Sequence, residues 1–175
     1  MASGASMSVT VDSHGANGLA ALGKAMRAEE DGKALRKDLT KELKTIIAPI
    51  VSEARGAATG MPSAGLEHDG EPLRAAIARR IVGEVRFSGK STGIRIRAKR
   101  KGMPRGFEHA PKRTNARGGW RRPVYGNKEV WVTQIGTPDW FDDVMRDQRP
   151  DARTKCLAAM ESMARRIKLR TERGG

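Results

Sequence analysis

The sequence predicts an α+β fold in which helices pack on one face of a small antiparallel sheet. Three observations support this prediction: an apolar helical stripe near the start of the chain, two short alternating strands in the middle, and a second helical stripe at the end. The 175 residues suffice for one domain with a modest core, predicted over 18–169. Residues 1–17 are predicted to form a flexible arm, because they offer little apolar surface to offset the entropy of ordering. Residues 170–175 are predicted to form a disordered tail.

A long N-terminal helical region is predicted over 19–55, where apolar residues recur at steps of three and four. Gly32 weakens the helix and is a candidate site for a bend. The length of the region exceeds the usual globular helix, so we expect a break or an extension beyond the domain body. Pro49 removes a hydrogen bond and is expected to kink or end the helix. Residues 56–72 contain the Gly, Pro and Ser of a loop, and 73–81 predict a short helix.

Two short strands are predicted over 83–88 and 93–99, joined by a hairpin loop. The second strand alternates between apolar and basic residues, so we expect one face to be buried and the opposite face to present a row of cations. The apolar side consists of Ile94, Ile96 and Ala98, and the basic side of Arg95, Arg97 and Lys99.

The remaining elements are a basic loop, a strand and a last helix. The loop over 100–119 has no periodicity, and loops of this length are more often functional or disordered than merely connecting. A turn signal at 125–127 precedes a strand over 129–133. The last helix is predicted over about 140–169, and Pro150 is expected to interrupt it early.

The net charge of +14 predicts contact with something anionic, which means nucleic acid, a lipid surface or an acidic protein. Eleven Lys or Arg residues lie between Arg95 and Arg122, against one acid, Glu108. A solvated loop, or pairing with an acidic neighbouring subunit, explains the same charges. Sequence-specific recognition is not predicted, because no helix-turn-helix or zinc finger accompanies them. The residues predicted to face DNA or an acidic partner are Arg95, Arg97, Lys99, Arg100, Lys101, Arg113, Arg117, Arg121 and Arg122.

The sequence offers little chemistry for catalysis. His14, His68 and His109 are scattered at no metal-binding spacing, so we expect no metal, no cofactor and no enzymatic activity. A single cysteine, Cys156, excludes an intrachain disulfide and is predicted to be a buried structural thiol. The sequence contains no run of eighteen apolar residues, so no membrane span is predicted. The start of the chain lacks the basic and the apolar region of a signal peptide.

The segment 120–141 contains all three tryptophans and the only tyrosine of a chain that is 4% aromatic. Large aromatic residues mixed with arginine are typical of protein interfaces. For Trp131 and Phe141 the core and a subunit contact are equal alternatives, whereas for Trp120 and Tyr125 a subunit contact is at least as well favoured. The predicted signature of core or subunit-contact residues is Trp120, Pro123, Val124, Tyr125, Gly126, Trp131, Trp140 and Phe141.

Within this segment the sequence reads Trp-Arg-Arg-Pro-Val-Tyr-Gly-Asn over 120–127, Trp-Val-Thr-Gln over 131–134 and Pro-Asp-Trp-Phe over 138–141. The spacing resembles the C-terminal signature of the head-to-tail connector family, also called neck or tail-completion proteins, of long non-contractile-tailed bacteriophages. The resemblance covers about residues 19–168 and is specific only around the signature. Arg122 stands where a histidine is common in the family, so no role of that histidine is carried over.

The resemblance implies a structural protein of the virion without catalysis, located at the head–tail junction and assembled in the cytoplasm of a bacterial host. Its implied partners are further copies in a ring, expected to be sixfold, head-completion (stopper) proteins, the tail terminator or tail tube, and genomic DNA in the channel. A ring requires that one patch of each copy meets a different patch of the next. The alternatives are a tail terminator that caps the tail tube and, from another class, a basic protein that binds nucleic acid non-specifically.

Overall fold

The computed structural model describes residues 8–11, 15–62, 72–89, 92–124 and 127–173. Most of the predicted arm, His14, His68, Tyr125, Gly126 and the last two residues of the predicted tail therefore lie outside the described residues. Ten elements are described, in the order β1 (Ser8–Val11), α1 (Gly15–Ala28), α2 (Gly32–Thr59), α3 (Leu73–Arg79), β2 (Ile81–Arg86), β3 (Gly93–Ala98), α4 (Ala110–Asn115), β4 (Trp120–Val124), β5 (Asn127–Gln134) and α5 (Trp140–Arg173). This order confirms the α+β class.

Strand β1 lies within the segment predicted to be an arm, and α5 continues to Arg173, within the segment predicted to be a tail. The predicted break in the N-terminal helical region is confirmed, because α1 ends at Ala28 and α2 begins at Gly32. A Cβ atom at Gly32 would stand 1.8 Å from the carbonyl oxygen of Met26. The two helices can therefore follow one another this closely only with glycine at this position.

The structure corrects what was predicted for two prolines. Helix α2 does not end at Pro49 but continues to Thr59. The predicted interruption at Pro150 is wrong, because α5 is one helix from Trp140 to Arg173. A proline inside a helix costs about 3 kcal/mol. Burial of side chains before and after the proline offsets such a cost, and in α2 Leu43, Ile47 and Ile50 are all buried.

The strands divide between two sheets. One sheet has the strand order β1-β3-β2, and the other consists of the antiparallel pair β4 and β5. The predicted alternation of β3 is confirmed, since Ile94, Ile96 and Ala98 are buried. Arg95 and Arg97 of β3 and Lys99, directly after it, are half-buried, so this row of cations is only partly open to solvent.

The described residues belong to two compact units. One is built from the ranges Ile50–Val82 and Arg97–Asp147, and the other from the ranges Val9–Pro49, Gly83–Ile96 and Gln148–Gly175. A single domain over 18–169 stays a prediction. The largest buried side chains of the first unit are Ile77, Ile81, Trp140 and Phe141, and those of the second are Leu19, Met26, Leu35, Leu39, Leu43, Ile47, Phe87, Ile94 and Met163.

Candidate interaction site at the aromatic hairpin

The segment 100–119, predicted to be a loop without periodicity, contains a short helix, α4 (Ala110–Asn115). Pro111 lies in its first turn, where the missing N–H has no partner to lose. Six residues make fewer than two turns, so the sequence could not display a helical period. Four residues of α4 are buried, namely Ala110, Pro111, Thr114 and Asn115. The helix is thus a packed element rather than a mobile basic loop.

The last two residues of α4 hold the start of α5. Asn115 accepts the backbone N–H of Phe141 on its side-chain oxygen at 2.8 Å and donates its side-chain N–H to the carboxylate of Asp142 at 2.7 Å. The backbone oxygen of Asn115 also accepts the N–H of Asp139 at 2.9 Å. The bonds accepted by Asn115 satisfy backbone N–H groups that a helix start leaves without intrahelical partners, and the bond to Asp142 ties a side chain of the first turn to α4.

Thr114 fixes the orientation of the first indole of α5. Its hydroxyl accepts the indole N–H of Trp140 at 3.2 Å and donates to the backbone oxygen of Ala110 at 2.9 Å. Trp140 meets Phe141 edge-on, with ring centroids 5.7 Å apart and planes at 80°. Both rings are buried, so the core alternative is confirmed for Phe141 and holds for Trp140 too.

An ion pair between Arg117 and Asp139 lies directly before the start of α5. The guanidinium of Arg117 donates to the carboxylate of Asp139 at 2.5 Å, and this hydrogen bond raises the pKa of Arg117. Asp139 has φ of 58°, a left-handed conformation that aspartate tolerates better than most residues. Its backbone oxygen accepts the N–H of Asp143 at 2.8 Å, so Asp139 begins the hydrogen bonding of α5. One of the predicted DNA-facing arginines is thus engaged within the chain.

Strands β4 and β5 form a hairpin, which we call the aromatic hairpin (Trp120–Gln134). Trp120 pairs with Gln134 and Pro123 with Trp131, and the register then shifts, so that Val124 pairs with Asn127. The hairpin begins at Gly119, which has φ of 64° and whose added Cβ would stand 2.1 Å from the carbonyl oxygen of Gln134. Only glycine allows this entry into the strand pair.

The aromatic hairpin exposes apolar residues on both of its faces. Val130 and Val132 lie on one face with exposed fractions of 50% and 38%, and Trp131 lies on the other with 46%. Ile135, directly after β5, is 66% exposed. The alternative of a core position for Trp131 is therefore wrong.

Polar groups hold the exposed indole in place. The indole N–H of Trp131 donates to the backbone oxygen of Lys128 at 2.7 Å, and the guanidinium carbon of Arg121 lies 5.7 Å from the ring centroid. Arg121 pairs with Thr133, which lies two positions after Trp131 on β5. Arg121 and Trp131 therefore share one face of the strand pair. The face combines an oriented indole with a cation, which is a common composition of interface centres.

The other predicted residues fall into three groups. Trp120, Pro123 and Val124 of the signature are half-buried on β4. Arg97, Lys99 and Arg100 are half-buried, and Arg95 belongs to the other compact unit. The exposed predicted cations of the first unit are Lys101, Arg113, Arg117, Arg121 and Arg122.

Thr114 and Asn115 were not among the residues predicted from the sequence. Both belong to residue types that cap helices, but their partners lie in a helix that begins 25 residues after Asn115, where Asn115 accepts the backbone N–H of Phe141 and Thr114 accepts the indole N–H of Trp140. A local capping pattern cannot reveal such a partner. The signal would have been the pair of polar residues followed by the Asp-Trp-Phe-Asp-Asp start of the last helix.

Within the part of the chain that the structure describes, no group of three or more His, Cys, Asp or Glu residues could hold a metal ion. Cys156 is buried, as predicted, and its burial raises the pKa of the thiol to about 11. Of the described helices, none has the length and apolar composition that crossing a bilayer would require.

Comparison of the chain with protein-family models, with curated proteins and with solved structures gives no match. The resemblance of residues 120–141 to the connector family stays a prediction made from those residues. The function is therefore inferred from the site itself.

Proposed function

We propose that this chain is a structural protein whose aromatic hairpin docks onto a further copy, and that the copies form a ring in the neck of a tailed bacteriophage. In this proposal the ring joins the head to the tail and surrounds the channel through which DNA leaves. The observation that supports it most directly is the exposure of Val130, Trp131 and Val132 on the two faces of one two-stranded sheet.

A two-stranded hairpin is marginally stable in water unless one of its faces packs against another element. Here both faces keep apolar side chains in solvent, and every residue of β5 except the last is exposed. A partner that covers the hairpin would remove this apolar surface from water, at about 25 cal/mol per Å². The exposure therefore favours a hairpin that is completed in an assembly.

The geometry of the aromatic hairpin suits a heterologous contact. It is one patch of the chain, and a ring forms when such a patch meets a different patch of the next copy. Its base is fixed by Gly119 and by the capping of α5 through Asn115, so it is presented on a rigid support. Rigid presentation lowers the entropy cost of association.

The position in the phage neck rests on the resemblance of the signature, and a tail terminator would use the same contacts at another level of the tail. The second class of function, non-specific binding of nucleic acid, is favoured by the net charge of +14. A ring around exiting DNA accommodates both properties, because the contacts between copies and the contacts to phosphate use different residues.

Quantitative mass spectrometry of tailed particles produced with a tagged copy of the chain tests the proposal. We expect a constant small number of copies in each intact particle, and heads without tails when Val132→Asp and Trp131→Ser are introduced together. The control is Phe107→Ser, since Phe107 is 51% exposed in the same unit but lies outside the hairpin. Absence of the chain from intact particles would contradict the proposal.

A further inference from the structure

Helix α2 carries a row of lysines that the proposed function does not use. Lys33, Lys37, Lys41 and Lys44 are all exposed and follow one another at steps of four, four and three residues. At 3.6 residues per turn they fall within about 80° of the helix circumference. We call these four residues the α2 basic face.

Charge is segregated around this helix. The acidic residues Asp38 and Glu42 lie at least about 60° beyond the edge of the α2 basic face. Asp38 faces Arg166 of α5 at 3.9 Å, and Asp31, just before α2, accepts a hydrogen bond from Arg170 at 2.5 Å. Asp38 and Asp31 thus face cations of α5, and none of the ion pairs among the described residues involves the four lysines.

Neighbouring lysine side chains of the α2 basic face repel one another. Lys33 with Lys37, Lys37 with Lys41, and Lys41 with Lys44 are like-charged neighbours on the helix surface, which destabilises a helix. The one acid of α2 at such a spacing from any of them is Asp38, three residues before Lys41. A polyanion bound along the face would remove this repulsion. The arrangement is unfavourable in the free chain and favourable in a complex with a row of negative charges.

The described residues around the lysines offer no anchor for a protein partner. The four lysines, Thr40, Thr45 and Ala48 all belong to α2 and line one open, shallow groove along it. The hydroxyls of Thr40 and Thr45 donate to backbone oxygens of their own helix, at 2.7 and 3.0 Å, so they are already used. Arg36, at the edge of the groove, lies 5.1 Å from the ring centroid of Phe87. No tryptophan, tyrosine or leucine, the residues that dominate protein–protein contacts, is among these lining residues.

We propose that the α2 basic face binds the phosphate backbone of nucleic acid without reading its sequence. From Lys33 to Lys44 the face is about 16 Å long at 1.5 Å per residue, and a duplex presents one phosphate per about 1.7 Å of axis, so four contacts fit this length. Lysine is suited to phosphate as a flexible point charge. Nothing on the face offers the planar, bidentate contacts that read base edges.

This site is separate from the aromatic hairpin. The lysines belong to the unit that contains Val9–Pro49, whereas the hairpin belongs to the unit that contains Arg97–Asp147. The proposal does not require a ring, and it holds for a chain that never enters a virion.

Fluorescence anisotropy with a labelled random-sequence DNA duplex of about 20 base pairs, at about 50 to 200 mM salt, tests the proposal. The variant replaces Lys33, Lys37, Lys41 and Lys44 with glutamine. The control removes four exposed cations from α5 of the same unit, with Arg149→Gln, Lys155→Gln, Arg165→Gln and Lys168→Gln. Both variants lose the same charge, and circular dichroism verifies that both retain their helices.

We expect the slope of log K against log salt to fall by about 3–4 in the α2 variant and by less than about 1 in the control, since each phosphate contact contributes about 0.9. Affinity at low salt should fall at least tenfold in the α2 variant alone. Equal losses in both variants would contradict the proposal, because net charge would then explain binding. Binding of polyglutamate but not of the duplex by the wild-type chain would also overturn it and identify an acidic protein as the partner.

Discussion

The side-chain oxygen of Asn115 accepts the backbone N–H of Phe141 at 2.8 Å, so the last residue of α4 caps a helix that begins 25 residues later in the chain. The same side chain also donates to Asp142. Because α4 and α5 lie before and after β4 and β5, this one residue fixes both ends of the segment that carries the aromatic hairpin. The rigidity of the hairpin therefore depends on a residue that is not part of it.

Replacing Asn115 with alanine should lower the free energy of unfolding by about 1–3 kcal/mol, because the buried N–H of Phe141 and the half-buried carboxylate of Asp142 would lose a partner. Urea denaturation measures the change. The control is Asn127→Ala, whose side chain accepts an exposed bond from the N–H of Glu129. A loss no larger than that of the control would show that Asn115 does not hold the start of α5.

Gly119 and Gly118 form a matched pair of adjacent glycines. Alanine at Gly119 would meet the carbonyl of Gln134 in a left-handed backbone, so we expect a loss of stability of at least about 1–3 kcal/mol and a shift in the Trp131 fluorescence. Alanine at Gly118 meets no atom within 4 Å and should change stability by less than about 1 kcal/mol. Thermal unfolding distinguishes the two variants, and equal melting temperatures would contradict the described entry into the hairpin.

The buried thiol of Cys156 predicts a loss of stability in alkali. Burial raises the pKa of the folded-state thiol from its ordinary value of 9.0 to about 11. Above about pH 9 the unfolded state loses the proton while the folded state retains it, so the contribution of the thiol is complete below pH 9 and declines towards pH 11. The decline should reach about 2–3 kcal/mol.

Urea denaturation over this pH range, compared between the wild-type chain and Cys156→Ala, isolates the effect of the thiol, because the two proteins differ only at this residue. We expect a flatter profile for the alanine variant. Parallel profiles would mean that the thiol is accessible to water in the folded state.

The helices and strands that bury one face show apolar residues at regular spacing, so these elements could be predicted from the sequence. The alternation of β3 reflects a strand with one buried face, and the stripe from Leu35 to Ile50 reflects a helix with one buried side. The energetic cost of a proline inside a helix can be read from the sequence, so Pro49 and Pro150 were expected to disturb their helices. The burial of side chains that offsets this cost is a property of the whole fold, and both helices continue past the proline.

The candidate site was harder to predict. A tryptophan between two valines in β5 gives the same pattern whether its strand is covered or exposed, so the exposure of Trp131 could not be read from residue types. The lysines of α2 were visible in the sequence at helical spacing. Their separation from acids became clear only when Asp31 and Asp38 were found beside cations of α5.

The most direct test of the account is the mass of the purified chain in solution, measured by sedimentation equilibrium at micromolar concentration for the wild type and for Trp131→Ser with Val132→Asp. We predict a closed oligomer whose mass is a multiple of the 19.1 kDa chain for the wild type, and a folded species of 19.1 kDa for the hairpin variant. A wild-type chain that sediments at 19.1 kDa, or a hairpin variant that assembles like the wild type, would contradict the account.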